Sequence, residues 1–375
     1  MTLPNMLLKK EEQVIFRLRA LFEQYGYKHF KMSKFEEYDF YAENRDFLSS
    51  ENILTFSGLD GKLLALKPDV TLSIVKNARV EKDVPERVYY NENVYRARKG
   101  AKEYKEIMQV GLEYIGEVDA YATIEVISLA QESLEMISNE AIMDLSHMGF
   151  VAGLLEELTL SVKQKNRILN CIRQKNPHSI QELCDEFGVD KEAENQLIRI
   201  ASLYGPLQET LAEARTLAVN PQMKQALDEL EGIYMCLKSW GKEGGLRLDF
   251  SIVNDLDYYN GIIFKGYIKG VANSILSGGR YDNLVHKMGK KADAIGFAVY
   301  LDLLEGFEAE EKSFDTDILL LYEDGVETMA LIKAVQMLTD NGKSVIVQKK
   351  NNGDISYRQL LAMKDRGLEI IEEQN

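Results

Sequence analysis

Apolar positions recur at three- and four-residue intervals through the first 25 residues: Val14, Leu18, Leu21 and Tyr25, with Ile15 and Phe22 beside them. That spacing predicts an amphipathic helix. Gly26 supplies its stop. The aromatic-rich stretch from Tyr27 to Tyr41 predicts a strand running into a loop. The apolar face of this region suits a core and a contact with a second copy of the chain equally well.

From residue 50 to 116, short apolar runs separated by Gly, Pro or charge predict antiparallel strands with one helix. Leu59-Asp60-Gly61-Lys62 sits between two such runs as a hairpin turn. Residues 119–137 change to a helical period, with Ile124, Ile127, Leu129, Leu134 and Ile137 as the stripe. From 151 to 240, β-branched runs thin out and Leu, Ala, Glu, Gln and Lys dominate. Four or five helices are predicted there, broken at Asn176-Pro177 and Gly205-Pro206. Strand character returns over 246–305, closing in a helix predicted to begin near Gly296. From about 313 the pattern is strand–helix–strand–helix, the second helix at 357–367, followed by a third strand at 368–373. That alternation predicts a small α/β unit with a parallel sheet. The expected domains are a discontinuous core of 1–150 and 241–310, a helical insertion at 151–240, and an α/β unit at 313–375.

Composition narrows the function. The chain is 45% hydrophobic and 28% charged, the ordinary balance of a globular protein. No run of eighteen apolar residues predicts a membrane span, and the first residues lack the pattern of a secretory signal. Sixty acidic residues against 45 basic ones leave a net charge of −15. That weighs against a surface built to grip a nucleic-acid backbone. Cys171, Cys184 and Cys236 are widely spaced and form no CxxC pair, as expected of reduced cysteines in a cytoplasmic protein. The four histidines, at 29, 147, 178 and 286, have no metal-ligand spacing, so neither metal nor cofactor is expected.

Three constellations carry candidate chemistry. In Lys67-Pro68-Asp69-Val70-Thr71, an extended backbone would project Asp69 and Thr71 to one side, where they could receive an ammonium group. The bland alternative is a surface turn. After Tyr95-Arg96-Ala97-Arg98-Lys99-Gly100 comes Gln109-Val110-Gly111-Leu112-Glu113, whose alternation puts Gln109, Gly111 and Glu113 on one strand face. Such a face lines either a pocket or solvent. Leu256-Asp257-Tyr258-Tyr259 and Gly278-Gly279-Arg280-Tyr281-Asp282 complete the set, with glycines that let a ligand or a neighbouring strand approach closely.

These constellations, in this order and over nearly the whole chain, resemble histidyl-tRNA synthetase and its relatives. Phe35-Glu36-Glu37 resembles the family's first motif, which builds a dimer interface. Leu66 to Thr71 resembles its amino-acid loop, Arg96 and Gln109 to Glu113 its second motif, and Gly296-Phe297-Ala298 the start of its third. The resemblance implies an α+β fold: a class II synthetase-like antiparallel sheet flanked by helices, with a helical insert and a truncated C-terminal α/β unit. It also implies a histidine pocket of Asp69, Thr71, Arg96, Gln109, Glu113, Tyr258 and Tyr259, with Arg280 and Tyr281 as lining or support.

Departures from the family pattern shape the expected function. Leu303 stands where the third motif carries a phosphate-binding arginine, and Asn254 where a second catalytic arginine precedes the Leu-Asp-Tyr-Tyr signature. Leucine offers a phosphate no donor. Residues 313–375 hold seven Lys+Arg against eleven Asp+Glu and stop about two strands short of a tRNA-reading domain. A synthetase-like chain without these arginines resembles the family of ATP phosphoribosyltransferase regulatory subunits. That resemblance implies a non-catalytic, cytoplasmic subunit working with a short-form catalytic subunit in the first step of histidine biosynthesis. It implies L-histidine as feedback inhibitor, self-association as a dimer, and no tRNA or membrane partner. An active histidyl-tRNA synthetase, or a free-standing amino-acid-adenylating enzyme, is the alternative.

Overall fold

The computed structural model describes residues 10–48, 53–79, 84–97, 103–253, 259–304, 314–351, 353–364 and 367–373. The described residues fall into two units, one within 9–307 and the other within 308–375.

In the larger unit, α1 (Lys10–Gln24) leads to β1 (Lys28–His29), β2 (Phe35–Glu37) and α2 (Tyr38–Glu43). The hairpin β3 (Thr55–Ser57) and β4 (Leu63–Leu66) turns through Gly61, whose φ of +81° lies in the left-handed region that glycine adopts readily. Next come α3 (Thr71–Asn77), β5 (Glu86–Ala97), β6 (Tyr104–Gly116), α4 (Ala120–Ile137), β7 (Ala141–His147) and α5 (Met148–Glu156). The expected insert holds α6 (Val162–Arg173), α7 (Pro177–Phe187), α8 (Lys191–Ser202), β8 (Tyr204–Pro206), α9 (Leu207–Leu217) and α10 (Pro221–Ser239). The chain returns through β9 (Leu246–Asp249), β10 (Ile262–Ile268), β11 (Leu276–Arg280), α11 (Asp282–Lys287) and β12 (Asp293–Tyr300).

Nine strands form one sheet in the order β1-β5-β6-β12-β11-β10-β7-β9-β8. The run from β5 to β7 is antiparallel throughout. The second half of β6 and most of β10 and β12 are buried on both faces, whereas β5 keeps a half-buried polar stretch at Asn91, Glu92 and Asn93. One face places Tyr89, Val110, Leu112, Phe297 and Phe264 in a core shared with α1, α4 and the helices of the insert. The other face packs Val88, Tyr90, Val94 and Ile115 against α2, α3 and α11, but interrupts that apolar surface with Gln109, Gly111 and Glu113.

The helices of the insert begin where the sequence places caps. Ser161 and Gln164 form a reciprocal capping box on α6, Asn176 caps α7 ahead of Pro177, and Asp190 caps α8. The Gly205-Pro206 break is the short strand β8, which pairs with β9 at the sheet edge.

In the smaller unit, β13 (Thr316–Tyr322), α12 (Thr328–Asp340), β14 (Val345–Gln348), β15 (Tyr357–Lys364) and β16 (Gly367–Glu373) form a sheet in the order β14-β13-β15-β16. β13 runs parallel to β14 and β15, and β15 pairs antiparallel with β16.

Three sequence expectations are overturned. The sheet of the smaller unit is mixed and not parallel, because β16 follows β15 with too few residues for a crossover and so runs antiparallel to it. Residues 357–364 are not a helix but strand β15, which has a neighbour on each side. Leu360, Leu361 and Ala362 are all buried, and a strand covered on both faces produces the same apolar run as a short helix. Likewise Gly296 does not open a helix but sits in the middle of β12; only Leu301–Leu304 beyond it coil, as a short 3-10 turn.

Candidate functional site

The site is built on the polar interruption of the sheet. In register, β6 pairs Glu113 with Gly296 of β12 and Val88 of β5, and Gln109 with Tyr300 and Glu92. Directly opposed residues of an antiparallel pair share a face. Gln109, Gly111, Glu113, Tyr90 and Tyr300 therefore line one strip.

Glu113 is the centre of this strip. It is 2% exposed, and its carboxylate accepts a 2.8 Å hydrogen bond from Thr71 Oγ1 and a 2.6 Å bond from the Tyr281 hydroxyl. Burial pushes its pKa from an ordinary 4.5 up to about 8, against the pull of those two hydroxyls, and Asp69 adds to the rise. Glycine makes the space it occupies. A Cβ on Gly296 would lie 1.7 Å from Glu113 Oε2 and 2.4 Å from the Leu112 carbonyl, distances no side chain can share. A Cβ on Gly111 would meet the Tyr90 hydroxyl at 2.5 Å. In β11, Gly278 and Gly279 do this on opposite faces: a Cβ on the first would strike Phe297 and Phe264, and one on the second the Tyr259 ring at 2.9 Å.

The loop before α3 supplies the other wall. Asp69 accepts the Leu72 backbone N–H at 2.9 Å and so fixes the first turn of α3. Its second oxygen faces Arg96 at 3.4 Å, while Arg96 Nε donates to the Pro68 carbonyl at 2.7 Å. Burial raises the Asp69 carboxyl, and the Arg96 guanidinium opposes that rise. The neighbouring Lys67 has a fully buried side chain and an ion pair with Glu92 at 2.7 Å, which anchors the loop to β5. The tyrosine hydroxyls of Tyr90 and Tyr259 are raised well above their ordinary range, by burial first. Tyr300 is raised by burial as well, against the opposing pull of the Arg96 cation.

Of the expected pocket, the fold thus gathers Asp69, Thr71, Arg96, Gln109, Glu113 and Tyr259. The route differs from the one expected. Asp69 and Thr71 do not project from one extended strand, because the chain turns into α3 at Thr71; one reaches Arg96 and the other Glu113. Tyr258 and Asn254 lie outside the described residues, as does Arg98. Leu303 falls in the 3-10 turn after β12 and packs against the main core. Arg280 is a clamp of the framework: it pairs with Asp282 and Asp293, both at 2.7 Å, and donates to the Val118 carbonyl at 3.2 Å. Tyr90 and Tyr300 were not singled out from sequence, since a tyrosine within a strand run carries no local sign of facing a pocket.

The arrangement offers an anion next to a cation, a buried carboxyl framed by hydroxyls, and aromatic walls. That set suits a small zwitterion with a polar ring. Among the described residues, no group of three or more His, Cys, Asp or Glu side chains converges as metal ligands would.

Residues 3–304 match the sequence profile of the histidyl-tRNA synthetase family. An ATP phosphoribosyltransferase regulatory subunit from Oceanobacillus iheyensis is 27% identical over 374 residues, covering 98% of this chain and 91% of that relative. A protein of the same name from Thermoanaerobacter sp. is 29% identical over 370 residues, covering 95% of this chain and 96% of the relative. In fold, the chain is similar to a Bacillus halodurans crystal structure described as an ATP phosphoribosyltransferase regulatory subunit/histidyl-tRNA synthetase. The TM-score is 0.77 at 24% identity, with 96% of this chain and 99% of that one covered.

Proposed function

Because the chain belongs to the histidyl-tRNA synthetase family, we propose that it keeps the family's amino-acid pocket without its chemistry, as the regulatory subunit of an ATP phosphoribosyltransferase. The observation that carries this reading is the end-to-end match to relatives of that name. Leu303 supports it: the position expected to hold a phosphate-binding arginine carries an apolar side chain packed against the core. An adenylating enzyme stabilises a pentavalent phosphate with fixed cations, and losing them removes its largest electrostatic aid.

In this reading the pocket senses L-histidine. Asp69 would receive the ammonium with Thr71 beside it, Arg96 the carboxylate, and Glu113 with Tyr258 the imidazole, while Gln109 would hold the amino acid in register and Tyr259 and Tyr281 would line or support the pocket. The existing Asp69–Arg96 pair at 3.4 Å is longer than a charge-assisted hydrogen bond, so a ligand that pairs with each separately exchanges a loose contact for two shorter ones. Occupancy would be passed to a short-form catalytic subunit that depends on this chain for activity, and histidine would inhibit the complex. The chain would also self-associate through α1 and the strand around Phe35.

The test is co-purification with a short-form catalytic subunit and an assay of phosphoribosyl transfer to ATP, with and without histidine. Activity that needs this chain and falls with histidine is expected. Histidine-dependent ATP–pyrophosphate exchange by the chain alone would instead identify it as a synthetase or free-standing adenylating enzyme.

A further inference from the structure

A second cavity opens on the same face of the sheet, where the insert meets it. Its volume is about 480 Å³, and its lining includes Asp144, Lys265, Asp249, Arg173, Lys175 and Tyr204. The register places it. Gly111 pairs with Ala298, Ala298 with Ser277, Ser277 with Lys265, and Lys265 with Asp144. Four strand spacings separate Asp144 from β6, roughly 19 Å along the sheet. The cavity is therefore distinct from the Glu113 pocket.

Its charges are unevenly used. Asp249 is saturated: one oxygen accepts from Ser251 Oγ at 2.6 Å and from its backbone N–H at 2.9 Å, and the other pairs with Lys175 at 2.8 Å. Asp144 is 5% exposed, yet its Oδ1 is buried with no hydrogen-bond partner among the described residues. Lys265 stands directly across the strand pair from it, with Cβ atoms about 5 Å apart in that geometry. The two nonetheless form no ion pair among the described residues. Burial pushes the Asp144 carboxyl up to about 6 and the Lys265 ammonium down, as expected of charges waiting for partners.

The rim is built to hold its shape. Lys175, with a φ of +49°, is the one non-glycine residue with positive φ among the described residues. A side chain there is strained unless its surroundings hold it. Its ammonium is fixed by Asp249 and lies 4.5 Å from the centre of the Tyr204 ring, and the Arg247 guanidinium lies 5.6 Å from the same centre.

We propose that this cavity is a second small-molecule site, for a free α-amino acid whose ammonium meets Asp144 and whose carboxylate meets Lys265. A zwitterion fits where a simple anion does not, because the buried, unpartnered atom at the floor is a carboxylate oxygen. Tyr204 and Tyr267 flank the side chain of the bound amino acid, and Arg173 stands at the mouth.

The test uses the full-length chain and each standard L-amino acid in turn, by saturation-transfer NMR followed by calorimetry. At least one is expected to bind both the wild type and Glu113→Gln, which leaves this cavity untouched. Its affinity should fall at least about tenfold, near 1.4 kcal/mol, in Asp144→Asn and in Lys265→Met, and its methyl ester should bind correspondingly worse. Circular dichroism reports whether each variant folds, and Lys265→Met, at a half-buried position, carries the test if Asp144→Asn does not. The proposal is overturned if no amino acid binds the wild type, if all binding disappears with Glu113→Gln, or if the binding that remains in Glu113→Gln is unchanged when Lys265→Met is added. Displacement of the amino acid by inorganic phosphate as effective as by its own excess would also overturn it, marking a plain anion site.

Discussion

Tyr281 donates a 2.6 Å hydrogen bond to Glu113 across 168 residues of sequence, and so ties the end of β11 to the middle of β6. Both groups are buried, with 2% of each exposed. If Glu113 is the ring-binding group, Glu113→Gln keeps its size and removes its charge. Histidine affinity by calorimetry is expected to fall by roughly 1–3 kcal/mol, the range for losing a charged hydrogen-bond partner. Affinity and feedback inhibition that do not change in this variant or in Tyr258→Phe would leave the pocket vestigial.

The same carboxyl makes stability depend on pH. Its folded pKa of about 8 lies above the ordinary 4.5, so the folded chain binds this proton more tightly than the unfolded chain does. The associated stabilisation is full below about pH 4.5 and is lost as pH climbs through 8. Urea unfolding between pH 5 and 8.5 should show wild type losing roughly 2–4 kcal/mol relative to Glu113→Gln. A parallel pH dependence in the two proteins would show that Glu113 titrates normally.

Ligand binding should read the same proton. A ring that stays neutral and donates its N–H favours ionised Glu113, so histidine binding at pH 7 is expected to release the Glu113 proton to solvent; a proton passed from Glu113 to the ring would give no net release. Calorimetry in buffers of different ionisation enthalpy measures that release, and Glu113→Gln should abolish this contribution.

Gly296→Ala is expected to destabilise the larger unit by roughly 2–4 kcal/mol. Its Cβ would meet backbone as well as the Glu113 carboxylate, so rotating one side chain cannot relieve it. Thermal unfolding checks the stability, and histidine affinity should fall with it.

Lys67→Met tests the loop anchor. The lysine is wholly buried, and its removal leaves Glu92, whose side chain is 14% exposed, without its cation. A loss of about 3 kcal/mol is expected, as for breaking one half of a buried pair. Lys67→Met combined with Glu92→Leu should recover part of it.

Much of this was legible in the sequence, for identifiable reasons. Long helices such as α4 and the capped helices of the insert carry their period and their end signals within themselves. Gln109 and Glu113 were readable as one face because strand alternation needs no tertiary information. By contrast, β15 and the Gly296 region are strands covered on both sides, and their apolar runs do not distinguish strand from helix. The Thr71–Glu113 bond was invisible because it depends on the chain entering α3 at Thr71, a local turn fixed by Asp69 and Leu72. Lys67 and Glu92, 25 residues apart, signal nothing until β5 is laid beside the loop.

The paired glycines of β11 leave the sheet a bare partition at that point. For two residues nothing but peptide separates Phe264 and Phe297 on one side from Tyr259 on the other. Pressure applied from the hydrophobic side has no side-chain layer there to absorb it. Enlarging Phe264 to Trp would bulge the wall outward, and the Tyr259 ring, on the far side, would register the change as a shifted aromatic resonance before any unfolding.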